Sequence, residues 1–399
     1  MMKLDRNIEI IEYKNKVILA NKLTGVWLRL SKEVYKYIKE AIKNNYTKES
    51  FICSFSRQED QKYIDALLEQ MEELSILGDS EIFLPKSIGF EITNRCNLKC
   101  AHCCFSAGNK SEDFATQKIV EILQKIIQWH PDKITITGGE PLYRNDIFEL
   151  LNFLRDSYTG RIILASNGVL INNNNVDNII RCVDCIDISI DGVDEWSCAR
   201  IRGEGVFKKV INSVQLLKKK GFHEISLSMV LTKENELLEE QFIRLNHKLG
   251  TIPVMRRMSW LGRALENREI LASNDILYEH GAEIDSSDKG MCTYGNCQNL
   301  KTKYHIRYDG YVYACQTIDN KRYSIGHVDQ ISSFNTIKDN RLVLLLDDLL
   351  KSNHKCQRCP VMNFCWKCPV EILEYTNNGS MEEHCKAVRD NLFRVIWEE

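Results

Sequence analysis

The middle of the chain alternates short apolar runs with amphipathic segments. Six near-continuous apolar runs lie between residues 86 and 265, namely SIGFEIT, KITIT, RIILAS, CIDISI, EISLSMVL and VMRRMSW. Strands of a parallel sheet that is covered on both faces have this composition, because neither face meets water. The pattern therefore predicts an α/β fold in which parallel strands alternate with helices.

Two of the segments between these runs carry apolar residues at helical spacing. One stripe consists of Ile119, Ile122, Leu123, Ile126 and Ile127, and the other of Phe207, Val210, Ile211, Val214 and Leu217. Six strand–helix units are fewer than the eight of a complete barrel, so we predict a partial (β/α)6 TIM-like barrel over residues 86–265. Functional residues of such folds lie at the carboxyl ends of the strands.

The segments on either side of this region differ from it. In residues 1–85, the runs IEIIEY and KVILAN flank a polar pair, which is typical of a hairpin, and Ser31 is placed to cap a helix. We predict a winged-helix-like module of two short strands and amphipathic helices. Residues 266–399 lose the alternation and gain cysteines, which predicts a domain whose order depends on bound metal.

Composition narrows the class of protein. Hydrophobic residues make up 44% and charged residues 27% of the 399 residues, as in an ordinary globular protein. A net charge of -2 gives no electrostatic reason to expect nucleic acid as the main partner. No apolar run is long enough for a membrane span, and the first residues lack the apolar core of a signal peptide. We therefore expect a cytoplasmic protein.

The chain has sixteen cysteines, an unusual number for a reducing compartment, where structural disulfides are rare. Three lie at Cys96, Cys100 and Cys103, and eight lie between residues 292 and 385. Cysteines grouped in this way in a cytoplasmic chain indicate metal or redox chemistry. We therefore predict two metal-binding regions that are far apart in the sequence.

The first group has the spacing C-x3-C-x2-C in the stretch RCNLKCAHCC. A structural zinc site needs four ligands, whereas three thiolates hold three irons of a cubane and leave the fourth iron open to a ligand. We therefore predict that Cys96, Cys100 and Cys103 are the catalytic metal ligands. Cys104 is interpreted as a bystander, and His102 as a packing residue of the loop.

This motif resembles the signature of the radical S-adenosylmethionine (SAM) superfamily, and three further motifs extend the resemblance. TGGEP (137–141), SNG (166–168) and SIDG (189–192) follow the second, third and fourth apolar runs, and RIRGEGVF (200–207) comes next. The resemblance implies SAM as a cofactor. It also implies a set of cofactor-binding residues: Gly138, Gly139, Glu140, Ser166, Asn167, Ser189, Asp191 and Arg202.

Roles within this set also follow from the resemblance. Glu140 would pair with the SAM amine, while Arg202 would pair with the SAM carboxylate and Arg200 is the fallback. The reduced cluster would deliver one electron to SAM and yield a 5'-deoxyadenosyl radical that takes a hydrogen atom from the substrate. A reducing partner such as flavodoxin or ferredoxin would supply the electron.

The C-terminal cysteines resemble a SPASM domain, which holds two auxiliary 4Fe-4S clusters and brings the implied total to three. By this resemblance Cys292, Cys297, Cys315 and Cys368 ligate the first auxiliary cluster, and Cys356, Cys359, Cys365 and Cys385 the second. Two residues separate Cys365 from Cys368, where the family usually has three. The pairs CQRC and CWKC are also what a structural zinc site would show, so zinc stays an alternative.

The N-terminal segment resembles the small leader-peptide recognition domains of peptide maturases, which bind a leader as an added strand. We therefore predict an enzyme that installs a crosslink, a thioether, in a ribosomally made precursor peptide. Formation of formylglycine in a sulfatase is the alternative enzymatic activity. An iron-sulfur or zinc regulator that binds DNA is the non-enzymatic alternative.

Overall fold

The computed structural model describes residues 1–78, 86–108, 113–272, 302–318, 320–333, 354–365, 375–376, 379 and 381–398. These residues form two compact units. The first unit contains residues 1–78 and the described residues after 353, and the second contains residues 86–272 and 302–333. The domain boundaries predicted at residues 85 and 265 stay predictions. Within the described ranges, each helix is too short or too polar to cross a membrane.

The first unit begins with a three-stranded antiparallel sheet in the order β1-β2-β3. Its strands are β1 (Ile8–Tyr13), β2 (Lys16–Asn21) and β3 (Trp27–Ser31). The hairpin is confirmed, but the prediction of only two strands is wrong. The stretch WLRLS is too short and too mixed to show a strand by itself, and its register is set by pairing with β2.

Three helices follow the sheet: α1 (Lys32–Lys43), α2 (Lys48–Cys53) and α3 (Gln58–Glu73). Ser31 caps α1 as predicted, because its hydroxyl accepts a hydrogen bond from the Val34 amide at 3.1 Å. Val17 and Leu19 on one face of β2 pack with apolar residues of the helices, including Ile38, Leu68 and Met71.

The second unit is built on a nine-stranded sheet in the order β12-β11-β10-β4-β5-β6-β7-β8-β9. Neighbouring strands from β4 to β9 are parallel, and β10 joins β4 in parallel. The parallel strands are β4 (Ser87–Glu91), β5 (Lys133–Thr137), β6 (Arg161–Ser166), β7 (Cys185–Ser189), β8 (Ile225–Val230) and β9 (Ile252–Arg256). The remaining strands are β10 (Lys303–Ile306), β11 (Tyr311–Tyr313) and β12 (Gly326–His327).

The six predicted strands are all present, although β9 begins two residues before the predicted run. The helices of this unit are α4 (Thr116–Gln128), α5 (Ile147–Ser157), α6 (Val176–Cys182), α7 (Glu195–Arg202), α8 (Val206–Lys219), α9 (Glu239–Leu249), α10 (Arg263–Glu266) and α11 (Arg268–Leu271). Both predicted helical stripes pack in the main apolar core, which lies between this helical layer and the sheet.

The first unit also contains C-terminal helices: α12 (His354–Gln357), α13 (Met362–Cys365), α14 (Met381–Phe393) and a π-helix (Arg394–Glu398). Ile18 and Ala20, on the second face of β2, pack against apolar residues of these helices, including Phe364, Leu392 and Trp397. The Arg29 side chain donates a hydrogen bond to the carbonyl of Ile396 at 2.8 Å. The N-terminal sheet is therefore covered on both faces within its own unit.

Candidate functional site

The three predicted iron ligands lie on the loop that follows β4, at the carboxyl end of the first parallel strand. Cys96 and Cys100 are buried and Cys103 is half-buried. The loop is closed by backbone bonds, since the Cys96 amide donates to the carbonyl of Gly108 at 3.0 Å and the Cys103 amide to that of Cys100 at 3.3 Å. The predicted position at a strand end is thus the position observed.

The electrostatics of these thiols suit a bound cation. Burial, with smaller contributions from Glu140, Cys100 and Cys103, raises the pKa of the Cys96 thiol to about 11. Burial also raises the pKa of Cys100, which the Arg202 charge partly offsets. Thiolates here need a positive charge beside them, and iron supplies one. Oδ1 of Asn94 and Nδ1 of His102 are also buried without a partner in the described structure, so the loop has polar atoms to spare for a bound group.

Across the described ranges, no three histidine, cysteine, aspartate or glutamate side chains converge as they do around a single metal ion. A cubane is bonded at separate irons rather than at one point. The three thiols therefore stay predicted ligands of a cluster.

The two glycines of TGGEP pack against the chain that enters the cysteine loop. Gly138 has φ +145°, and a Cβ there would lie 2.2 Å from the carbonyl oxygen of Thr93. A Cβ on Gly139 would lie 2.3 Å from the carbonyl oxygen of Arg95. The Gly139 amide donates to the Thr93 carbonyl at 2.8 Å. Their small size is therefore needed to join two strand-end loops, which sequence reasoning did not foresee.

Glu140 is fully buried and accepts three hydrogen bonds from the next strand end and its own turn. Its Oε1 accepts from the Ser166 hydroxyl at 2.8 Å and the Leu142 amide at 3.0 Å, and its Oε2 from the Asn167 amide at 2.7 Å. Burial raises the pKa of this carboxyl group, and the three donors oppose that rise. The predicted residues Glu140, Ser166 and Asn167 are thus brought together, and the Asn167 side chain lies 3.8 Å from the sulfur of Cys96.

Asp191 lies at the centre of a second buried group. Its Oδ2 is 2.6 Å from Nε2 of His102 and 2.6 Å from Nε of Arg202, while its Oδ1 accepts from the Val230 amide at 2.6 Å. Burial acts to raise the pKa of Asp191, but the charges of Arg202 and His102 outweigh it and hold that pKa below its usual range. Asp191 therefore fixes the guanidinium of Arg202, whose Nη1 lies 3.9 Å from the sulfur of Cys100.

The structure shows where three further residues singled out from the sequence lie. His102 lies within hydrogen-bond distance of Asp191 as well as packing in the loop, and its only signal was its place inside the cysteine motif. Arg200, the fallback for Arg202, lies at the surface, pairs with Glu234 and stacks over Trp196. Ser189 ends β7, and its hydroxyl lies 3.4 Å from that of Ser228.

A turn from a distant part of the chain holds the cysteine loop. Arg263 donates from Nε to the Cys100 carbonyl at 3.0 Å and from Nη1 to the Ala107 carbonyl at 2.8 Å. The preceding Gly262 has φ +52°, and a Cβ there would lie 2.7 Å from the Cys104 carbonyl oxygen. The sequence GRA at 262–264 indicates a turn, but it does not show which loop the turn supports.

The C-terminal cysteines are described in part. Burial raises the pKa of Cys365, and the neighbouring Cys359, Cys385 and Cys356 raise it further, so these four thiols share one neighbourhood in the first unit. They are the four residues predicted for the second auxiliary cluster. Cys315 lies 3.1 Å from the Thr317 hydroxyl. Its predicted partners Cys292, Cys297 and Cys368 lie outside the described residues.

The buried three-thiol loop at the first strand end lies within the part of the chain that a family model matches. Residues 90–245 match the model of the Radical SAM superfamily, so the chain contains a radical SAM domain. The mycofactocin maturase MftC of Mycobacterium ulcerans is 27% identical over 283 residues, which cover 64% of this chain and 75% of that protein. The sporulation killing factor maturation protein SkfB of Bacillus subtilis is 26% identical over 290 residues, 67% of this chain and 68% of that protein.

Among solved structures, SuiB of Streptococcus suis bound to precursor peptide SuiA superposes with a TM-score of 0.55 at 15% identity. The match covers 98% of this chain and 99% of SuiB. At this identity the likeness concerns the fold, and the predicted TIM-like α/β architecture is confirmed.

Replacing Cys96, Cys100 and Cys103 together by alanine should abolish SAM cleavage, because the cluster loses its thiolates. Cys104→Ala is the matched control and should retain cleavage. Cys104 is half-buried in the same loop but lies outside the C-x3-C-x2-C set. Release of 5'-deoxyadenosine under anaerobic reduction measures both. Loss of cleavage in Cys104→Ala would refute this choice of ligands.

Arg263→Gln should weaken retention of the same cluster, because two charged hydrogen bonds to the loop backbone are lost, each worth about 1.5–3 kcal/mol. The measurement is the rate at which a chelator removes iron from the reconstituted protein. Arg244→Gln removes an exposed arginine of α9 that pairs with Glu240 and should leave the rate unchanged. Equal rates in the two variants would contradict a supporting role for Arg263.

Proposed function

We propose that this chain is a peptide maturase that uses radical SAM chemistry to install a thioether crosslink in a ribosomally made precursor peptide. The observation that supports this proposal is the buried loop of three thiols beside Glu140 and Arg202. The names of MftC and SkfB, both maturation proteins, favour a peptide as the substrate. A small reducing protein such as flavodoxin or ferredoxin is the proposed electron donor.

The chain's own residues have separable tasks at the proposed site. Cys96, Cys100 and Cys103 hold the cluster, which when bound with SAM supplies a radical able to take a hydrogen atom from the substrate. Glu140 offers a buried carboxylate for the SAM amine, and its three protein donors fix its orientation. Arg202, fixed by Asp191, offers its remaining N–H groups to the SAM carboxylate.

Two auxiliary clusters are proposed for the C-terminal cysteines. A zinc site made of two C-x2-C pairs would use Cys356, Cys359, Cys365 and Cys368. Cys385, however, raises the pKa of Cys365, so a cysteine outside these pairs lies in the same neighbourhood. That proximity favours an auxiliary cluster ligated by Cys356, Cys359, Cys365 and Cys385.

The N-terminal module is proposed to bind the leader of the precursor as an added strand. In its three-stranded sheet, β1 and β3 are the edge strands, and edge strands present unpaired backbone groups to a peptide. The Lys22 amide bonds the Asn7 carbonyl and the Lys32 amide bonds the Asn15 carbonyl. With the alternation of an antiparallel ladder, Ile10 of β1 directs its backbone groups outwards.

The proposed function is tested with the reconstituted protein, SAM, a reductant and peptides encoded by reading frames that adjoin its gene. We expect about twelve irons per chain, four for each cubane, formation of 5'-deoxyadenosine, and a peptide product that has lost two hydrogen atoms and one free thiol. If the product contains formylglycine and no crosslink, formylglycine formation replaces crosslinking as the proposed reaction. Bound zinc with no SAM cleavage would overturn it.

Leader binding should fall when an outward backbone N–H is removed from the edge that the leader uses. We expect Ile10→Pro to weaken precursor affinity about tenfold, the equivalent of about 1.4 kcal/mol. Ile10→Ala, which keeps the N–H, is the matched control. Fluorescence anisotropy with full-length and leaderless peptide provides the measurement, and unchanged affinity in Ile10→Pro would refute strand addition at β1.

Point variants are used in this test because deletion of residues 1–85 would uncover the apolar residues of the C-terminal helices. Ile18 and Ala20 of β2 pack against Val388, Leu392 and Trp397 in the same unit. Loss of binding after deletion would therefore not distinguish a missing leader site from an unfolded one.

A further inference from the structure

Two neighbouring strands of the second unit carry a buried polar group that the proposed SAM site does not use. In β4, Ile88 and Phe90 face the helical core, and in β10, Tyr304 and Ile306 do the same. Because side chains alternate along a strand, Glu91, His305 and Arg307 belong to the opposite face. These two strands are hydrogen-bonded in parallel, with His305 opposite Gly89.

The carboxylate of Glu91 is only half satisfied. Its side chain is 1% exposed, and Oε1 lies 2.5 Å from Nε2 of His305. Oε2 is buried and has no hydrogen-bond partner in the described structure. The nearest cation, Nε of Arg307, is 3.9 Å away, which exceeds hydrogen-bond distance. A buried carboxylate oxygen without a donor is costly, so this atom is suited to receive a donor from a bound molecule.

Gly89 makes room for the histidine that holds Glu91. A Cβ at Gly89 would lie 2.7 Å from Nδ1 of His305, closer than side-chain carbons come to neighbouring atoms. The backbone of Gly89 does not need a positive φ. The glycine is therefore required by the position of the imidazole ring and not by the turn of the chain.

The same group adjoins the loop of the three cysteines through Phe105. Its ring stacks parallel to His305 with centroids 6.2 Å apart, and the guanidinium of Arg307 lies 5.7 Å from the centre of the Phe105 ring. A molecule bound at Glu91 and Arg307 would therefore lie beside the loop that is proposed to hold the SAM cluster.

We propose that Glu91 and Arg307, with His305 fixing the carboxylate, bind an uncharged amide group of the peptide substrate. Oε2 of Glu91 accepts the amide N–H, and the guanidinium donates to the amide carbonyl. The charges of the carboxylate and the guanidinium offset each other, which favours a neutral dipolar group over an ammonium or a carboxylate. This site rests on the proposed function for its substrate, since a peptide is the molecule that brings such amides.

The binding test uses crystals of the full chain loaded with iron and sulfide under anaerobic conditions. They are soaked separately with N-methylacetamide, acetate and methylammonium. We expect N-methylacetamide to bind with its nitrogen at Glu91 and its oxygen at Arg307, and the two ions to leave the site to water. The proposal is overturned if the site holds only water with all three probes, or if N-methylacetamide is an adventitious additive only, bound at other surfaces. It is also overturned if either ion occupies the site equally well.

Variants test whether Glu91 and His305 are responsible for binding N-methylacetamide. Glu91→Gln replaces the accepting oxygen or reorients it, and Gly89→Ala displaces His305, so both should lose bound N-methylacetamide. Asp329→Asn is the matched control, because Asp329 is an exposed carboxylate of the same unit that pairs with Lys118. Occupancy that persists in both site variants, or that also disappears in the control, overturns the assignment.

Turnover gives a second readout with any adjoining-frame peptide that the wild-type enzyme modifies. Glu91→Gln should raise KM for that peptide at least about tenfold, as loss of a hydrogen bond to a charged group does, with a smaller change in kcat. Asp329→Asn should match the wild type, and an unchanged KM in Glu91→Gln counts against the amide site. The soak needs no turnover, so a wild type that modifies no peptide counts against the proposed function alone.

Discussion

Burying several thiols beside one another is the constraint on which the rest of the second unit depends. Without a cation such thiols stay protonated, as the raised pKa of Cys96 indicates, and the apolar packing of the loop includes the contact of Leu98 with the main core. Its conformation is imposed from outside by the TGGEP glycines, by Asn167 and by Arg263. The glycines and Asn167 follow β5 and β6, whereas Arg263 begins α10, so neighbouring elements of the unit position the cysteine loop.

The local pattern of apolar residues was sufficient to predict the six parallel strands and the motifs at their ends. Runs of apolar residues indicate the strands, and the carboxyl ends of parallel strands meet at one edge of the sheet whatever the lengths of the connections. The pairing of His102 with Asp191 and the bonds of Arg263 to the Cys100 loop were not predictable in this way. Both depend on side-chain direction between segments that are separated by more than eighty residues.

The same limit applies to β3 and to the C-terminal helices. The residues Trp27–Ser31 become a strand because β2 offers a partner, and periodicity in five residues is too short to show it. The last helices carry cysteines that dominate any sequence-based reading, whereas their apolar residues have a separate role in covering β2. A metal-based interpretation of residues 266–399 therefore predicted a role for the thiols and missed the packing of the apolar residues.

The contact of Ile18 and Ala20 with residues 388–397 has a consequence for synthesis of the chain. A ribosome makes β2 near the start and the covering helices hundreds of residues later, with Lys16 bonded to the carbonyl of Trp397 across a separation of 381 positions. One apolar face of the N-terminal sheet is therefore exposed while the whole radical SAM domain is translated and folds. Early nascent chains of this protein are, in effect, open to any transient partner that accepts an apolar strand.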